Sequence, residues 1–217
     1  MGKRDRKRRP ARRKAFKESK PLILIVTEGE ATEPEYLEGL ARACKNSRVR
    51  IEVVGGAGVP KTIVESARDR KKEAKTRARR EKDDNLLFDE VWCVFDVDEH
   101  PNIPDAKQMA RDNGIELAIS NPCIELWLWL HFADQPGIQD RKKLKSKLKQ
   151  YIPGYNKHVD YSDYAAGYEA AVQRAERLDA NAKADGEEGR NPTTGVWRLT
   201  EKICQAEPTS DDSAESV

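Results

Sequence analysis

Cysteine is sparse and shows no motif spacing. Cys44, Cys93, Cys123 and Cys204 are scattered along the chain with no CxxC pair. This argues against a zinc site and against a disulfide framework. Three of the four sit in apolar segments and read as small core residues, which fits a reducing cytoplasm. Long apolar runs are lacking too. The longest, Cys123 to Phe132, is too short to cross a bilayer and is broken by Glu125, so a membrane-spanning protein is not expected. No apolar stretch follows the basic N-terminus before Pro21, so no secretory signal is read there. A dinucleotide-binding glycine pattern is absent. Gly55-Gly56-Ala57-Gly58-Val59-Pro60-Lys61-Thr62 resembles a phosphate-binding P-loop, but Pro60 stands where glycine must precede Lys-Thr, and proline has no backbone donor. The stretch reads as a turn from strand into helix.

What the chain does have is charge, unevenly placed. Charged residues make up 36% and hydrophobic residues 37%, yet the net charge of the 217 residues is only +2. Eleven bases lie between Lys3 and Lys20 against two acids, Asp5 and Glu18. The stretch from Glu207 to Val217 holds four acids and no base. Low apolar content with charge of one sign predicts disordered tails, over residues 1–20 and 206–217, around a single domain at 21–205. The basic tail, with Arg8, Arg9, Arg12 and Arg13, is a candidate contact for nucleic-acid phosphates.

Between the tails, short β-type runs alternate with helical patterns. Strands are expected at Leu22–Val26, Val49–Val54, Glu90–Phe95 and Ile115–Ser120. Helices are expected at about Glu33–Lys45, Pro60–Lys82 and Pro104–Asn113. This order predicts an α/β fold with a parallel, doubly wound sheet and flanking helices. After Ser120 the pattern turns helical: an apolar stretch over 121–132, a basic amphipathic helix at Arg141–Gln150, a helix at about Tyr161–Asn181, and a last helix opened by Asn191-Pro192 and reaching Cys204.

The most pointed feature is Asp96-Val97-Asp98-Glu99, directly after the apolar run Val91–Phe95. Carboxylates one residue apart on a strand point to the same side. They repel unless a cation lies between them, and the hard cation suited to carboxylate oxygen is Mg²⁺ or Mn²⁺. A second acid, Glu28, ends another apolar run, Leu22–Val26. Open α/β sheets bind ligands at the carboxyl ends of their strands, so Glu28, Asp96 and Asp98 suggest one shared site. Glu28 suits metal binding, general-base work or both, and Gly29 beside it leaves room for a close approach. Thr32-Glu33-Pro34-Glu35 reads as a capping box, with Thr32 as N-cap, Glu35 reaching back, and Glu33 favouring the helix's positive end. Glu125 lies in an apolar helix and needs a partner, either a metal or an arginine and backbone donors. His131 falls on a different face from Glu125 and reads as a core histidine. The charge-rich helix at 60–82 reads as a solvated face with i,i+4 pairs.

Together these residues resemble the RloB family, within the wider Toprim-like group. The resemblance rests on Thr27-Glu28-Gly29-x-x-Thr32-Glu33-Pro34-x-Tyr36, on Phe95-Asp96-x-Asp98-Glu99-His100, and on Ser120-Asn121-Pro122-Cys123-x-Glu125-Leu126-Trp127-Leu128-x-Leu130-His131-Phe132. Tyr155-x-Lys157 and Asn191-Pro192-Thr193-Thr194 fit the later part. The resemblance implies a Toprim-like (Rossmann-like) sheet in which Glu28, Asp96 and Asp98 hold Mg²⁺ for phosphodiester chemistry, with Glu125 as a further catalytic candidate and Lys157 as a nucleic-acid contact. It also implies a role in bacterial abortive infection against phage, often beside an AAA-type ATPase partner. Val97 stands where many relatives carry a basic residue between the two aspartates, a difference that bears on phosphate contact. The expected function is a Mg²⁺- or Mn²⁺-dependent nuclease acting on DNA or RNA. The alternative is a nucleic-acid-binding adaptor whose Toprim core has lost catalysis.

Overall fold

The alternation of side chains along two strands organises the protein. In a computed structural model describing residues 21–53, 59–97, 103–134 and 137–204, strand β1 is Ile23–Thr27 and strand β3 is Glu90–Asp96. Both are apolar and β-branched or aromatic, and both are buried on two faces, as parallel strands covered by helices must be. Ile23, Ile25, Trp92 and Val94 point into one core, and Leu24, Val26, Val91, Cys93 and Phe95 into the other. The sheet has five strands in the order β2-β1-β3-β4-β5, with β2 at Val49–Val53, β4 at Glu116–Asn121 and β5 at Thr193–Thr194. Strands β1 to β4 run parallel, and β5 pairs antiparallel with β4. The expected Rossmann-like α/β sheet with flanking helices is what the chain builds.

Helix α1 (Thr32–Ala43) covers the first face, and helices α2 (Pro60–Glu81) and α3 (Ile103–Asn113) cover the second. Pro60 occupies the first turn of α2, where no backbone donor is needed. Only Pro60, Ile63, Val64, Ala67 and Ala78 of α2 are buried, and pairs such as Arg70–Glu73 and Arg77–Glu81 lie on its exposed side. The solvated-face reading of this helix holds.

The second half departs further from expectation. The apolar stretch yields a short helix α4 at Glu125–Leu130, with Asn121 still part of β4, as the extended conformation favoured before Pro122 allows. Helix α5 spans Arg141–Leu148 and α6 spans Tyr168–Ala184. The expected start of α6 at Tyr161 is replaced by two 3₁₀ turns, Tyr161–Asp163 and Ala165–Gly167. A Cβ at Gly167 would overlap the His131 backbone, so this turn is pressed against the end of α4. Asn191-Pro192 opens not a helix but β5, and helix α7 begins at Val196 and ends at Cys204.

One expectation is overturned. Cys44, just past α1, and Cys204, the last residue of α7, form a disulfide with their Cα atoms 5.1 Å apart. The helices pack side by side, and Asn46 Nδ2 donates to the Ile203 carbonyl at 3.0 Å beside the bridge. A separation of 160 residues hides such a pair from any reading of local spacing. The scattered cysteines therefore carry no argument for a reducing compartment. Cys93 and Cys123 are free and buried, as expected. Among the described residues no helix is long and apolar enough to cross a membrane.

His131 is the core histidine expected. Its Nε2 pairs with Tyr36 Oη at 2.9 Å and its Nδ1 with the Trp127 carbonyl at 3.0 Å. Burial pushes its pKa down to about 4, against the hydrogen bonds the ring donates to the backbone. Unfolding exposes it to water, where the ordinary value is near 6.5. The neutral ring's contribution is complete above about pH 6.5 and is lost as pH falls towards 4, because the unfolded chain takes up the proton first. The span is worth ~3 kcal/mol. Denaturant midpoints measured from pH 7 to pH 4.5 should fall, while the His131 ring resonance shows no titration above pH 5 in the folded protein. A ring that titrates near 6.5 in the folded state would contradict this.

Candidate active site

The site forms where β1 and β3 end. Their register pairs Thr27 with Val94, and the Glu28 N–H donates to the Val94 carbonyl at 3.2 Å, so Glu28 is held in line with the sheet. Thr27 Oγ1 donates to the Gly29 carbonyl and turns the chain toward α1. Asp96 closes β3 and is 5% exposed. Glu125 opens α4 and is 2% exposed. Glu28, Glu33, Asp96 and Glu125, with Arg141, Lys145 and Lys157, line one cavity of about 520 Å³. Of the residues expected from sequence, Glu28, Asp96, Glu125 and Lys157 are thus brought together. Asp98, Arg8, Arg9, Arg12 and Arg13 lie outside the described residues, as do Glu99 and His100.

The capping box does not form. The N-cap position of α1 is Ala31, with no side-chain cap. Thr32 Oγ1 instead donates to the Lys157 carbonyl at 2.7 Å, and Glu35 accepts from the Val159 N–H and pairs with His158 Nδ1, both at 2.7 Å. The start of α1 therefore grips the loop at 156–159, which forms one wall of the cavity. Lys157 sits at φ 80°, a left-handed conformation unfavourable for lysine, and these contacts hold it there.

Glu33 was expected only to favour the helix terminus, and the structure gives it a larger place. It is 6% exposed, and a Cβ at Gly29 would overlap its carboxylate, so the glycine makes room for an acid of the chain itself. Burial pushes the Glu33 carboxyl above the ordinary range, the Glu125 and Glu28 charges push it the same way, and its own N–H and Arg141 oppose them.

Two cations from α5 enter the cavity. Arg141 Nη2 donates to Asp96 Oδ2 at 2.9 Å, and Lys145 Nζ lies 3.4 Å from Glu125 Oε1, which also accepts from Tyr155 Oη at 3.1 Å. Among the described residues, no hydrogen bond reaches the buried Glu125 Oε2. The Cys123 thiol nearby is pushed up by burial and then by the Glu125 and Asp96 charges. Sequence reasoning missed Arg141 and Lys145. A signal existed: 141, 144, 145 and 148 share one helix face, and Leu144 and Leu148 anchor it in the core.

The family model for RloB-like proteins matches residues 23–203. The chain belongs to the RloB-like family. No curated protein and no solved structure matches it. The matched span of the RloB-like model contains every described residue of the cavity. For the divalent cation that the Toprim resemblance implies, the fit is one of donor kind. Carboxylate oxygen is the ligand Mg²⁺ and Mn²⁺ prefer, and among the described residues one buried oxygen, Glu125 Oε2, lacks a hydrogen-bond partner. Among the described residues, no three His, Cys, Asp or Glu side chains already converge as a metal cage.

Proposed function

We propose that this RloB-like protein is a Mg²⁺- or Mn²⁺-dependent nuclease of the Toprim type, acting on DNA or RNA as the effector of a bacterial phage-defence system. The observation that carries the reading is the meeting of Glu28, Asp96 and Glu125 with Lys157 in one cavity at the carboxyl ends of two adjacent parallel strands. Asp96 and Glu28, with Asp98 beyond the described residues and Glu125 as a candidate additional ligand, would hold the cation, which when bound would supply an activated water and neutralise charge on the phosphate. The chain's own residues do the rest. Glu28 is half-buried at the cavity wall and suits accepting a proton there; Lys157 faces phosphate; the basic stretch containing Arg8, Arg9, Arg12 and Arg13 adds salt-sensitive phosphate contacts. An AAA-type ATPase partner belongs to the same proposal.

A second reading has its own observation. Arg141 on Asp96 and Lys145 on Glu125 neutralise two of the acids without any metal. A site permanently closed in this way would leave a nucleic-acid-binding adaptor. Labelled single- and double-stranded DNA, and RNA including tRNA, incubated with the full chain with and without Mn²⁺, separate the two. The nuclease reading expects Mn²⁺-dependent shortening of at least one substrate; binding without cleavage across the panel favours the adaptor.

A further inference from the structure

The two ion pairs between α5 and the acids are asymmetric. The side chains of Asp96 and Glu125 are 7% and 3% exposed, whereas those of Arg141 and Lys145 are 42% and 31% exposed. The anions are fixed in the floor of the cavity; the cations reach them from its open side. Both side chains are long and partly solvated, although Arg141 Nε is buried, and Leu144 and Leu148 carry the packing of α5, so a turn of either cation leaves the core packed. Buried carboxylates cannot lose their counter-charge without a large desolvation cost, so any departure of these cations requires another positive charge to arrive.

We propose that Arg141 and Lys145 form a transferable cation pair: they neutralise Asp96 and Glu125 in the metal-free protein, and turn to a phosphodiester of the nucleic acid once a divalent cation takes those carboxylates. This rests on the metal-dependent reading above. Arg141 suits the second role because its planar fork matches two phosphate oxygens as well as it matches a carboxylate. Lys145 lies one helical turn further along the same face and extends the positive surface toward the neighbouring backbone unit. Lys142, Lys143 and Lys149 of the same segment lie on its solvent side and favour approach of a polyanion. Exchange of partners makes the two ligands cooperate. A divalent ion that frees Arg141 and Lys145 improves nucleic-acid binding, and by linkage nucleic acid improves binding of the ion by the same factor.

Static ion pairs add nothing to the coupling that the bound cation itself has with phosphate, whereas exchanging ones do, and this gives the test. Mn²⁺ is titrated calorimetrically into the full chain alone and in the presence of a saturating short oligonucleotide, DNA or RNA as the substrate panel dictates. The same titrations follow for Arg141→Met and Lys145→Met. In the wild type the oligonucleotide should tighten Mn²⁺ binding by about tenfold. In Arg141→Met, Mn²⁺ alone should bind more tightly than in the wild type, since its competitor for Asp96 is gone, and the coupling should fall severalfold, toward what the bound cation alone has with phosphate. Lys145→Met should move both quantities the same way, and carries the test alone if Arg141→Met does not fold. Unchanged Mn²⁺ affinity with unchanged coupling in folded variants would overturn the exchange and leave the nuclease reading standing. Tighter Mn²⁺ binding with undiminished coupling would overturn it too, because the cations would then not serve the phosphate. A wild type that binds no Mn²⁺ removes both readings together.

Discussion

Asp96→Asn should leave a folded protein that no longer cleaves. Asparagine keeps the size of the side chain, and its Oδ1 can still accept the Arg141 hydrogen bond that Asp96 accepts at 2.9 Å. The fold should therefore persist, with a melting temperature close to that of the wild type. What is lost is the charge that, on the proposed reading, would hold a divalent cation at the end of β3. A metal that polarises phosphate and activates water contributes several kcal/mol to the transition state; taking about 4 kcal/mol gives a loss of roughly 10³-fold in the cleavage rate. Single-turnover cleavage in Mn²⁺, measured beside a thermal melt, checks both parts. Retained cleavage in a folded Asp96→Asn variant would remove Asp96 from the chemistry.

Reduction of the Cys44–Cys204 bridge should cost the protein much of its stability. The bridge closes a loop with a sequence separation of 160, among the longest this chain allows. In the chain-entropy account, constraining so long a loop in the unfolded state stabilises the native one by at most about 5 kcal/mol. For a chain of this size that corresponds to a melting temperature lower by about 10–20 °C. Melts with and without a phosphine reductant, and of Cys44→Ser, measure it. The bridge holds the end of α1 opposite Thr32, Glu33 and Glu35, so loss of the tie should loosen the helix that grips the 156–159 loop. Identical melts under both conditions would show the bridge to be without weight in the folded protein.

How much of this could be seen in the sequence depends on how local its causes are. Strands β1 and β3 were legible because a strand buried on two faces needs a continuous apolar run, and Ile23–Val26 and Val91–Phe95 supply it with β-branched and aromatic residues. Glu28 and Asp96 were legible for a related reason: a carboxylate that ends such a run is already at the sheet's binding edge. The capping box was misread because Thr32 and Glu35 follow a local rule that stronger distant partners override; their hydrogen bonds go to residues 157–159, more than 120 positions away. Strand β5 has two residues and no hydrophobic period, and only its pairing with Ser120 and Asn121 makes it a strand. Glu33 and Arg141 escaped notice because an acid at a helix start and a base in a lysine-rich helix have ordinary surface explanations. Only burial and a partner distinguish them.

The central claim is that the acids at the ends of β1 and β3 bind a divalent cation, and calorimetric titration of Mn²⁺ tests it most directly. The wild-type chain should show a saturable site, and Asp96→Asn/Asp98→Asn should lose it while retaining the wild-type circular dichroism spectrum. Equal Mn²⁺ binding by the two proteins would contradict the account.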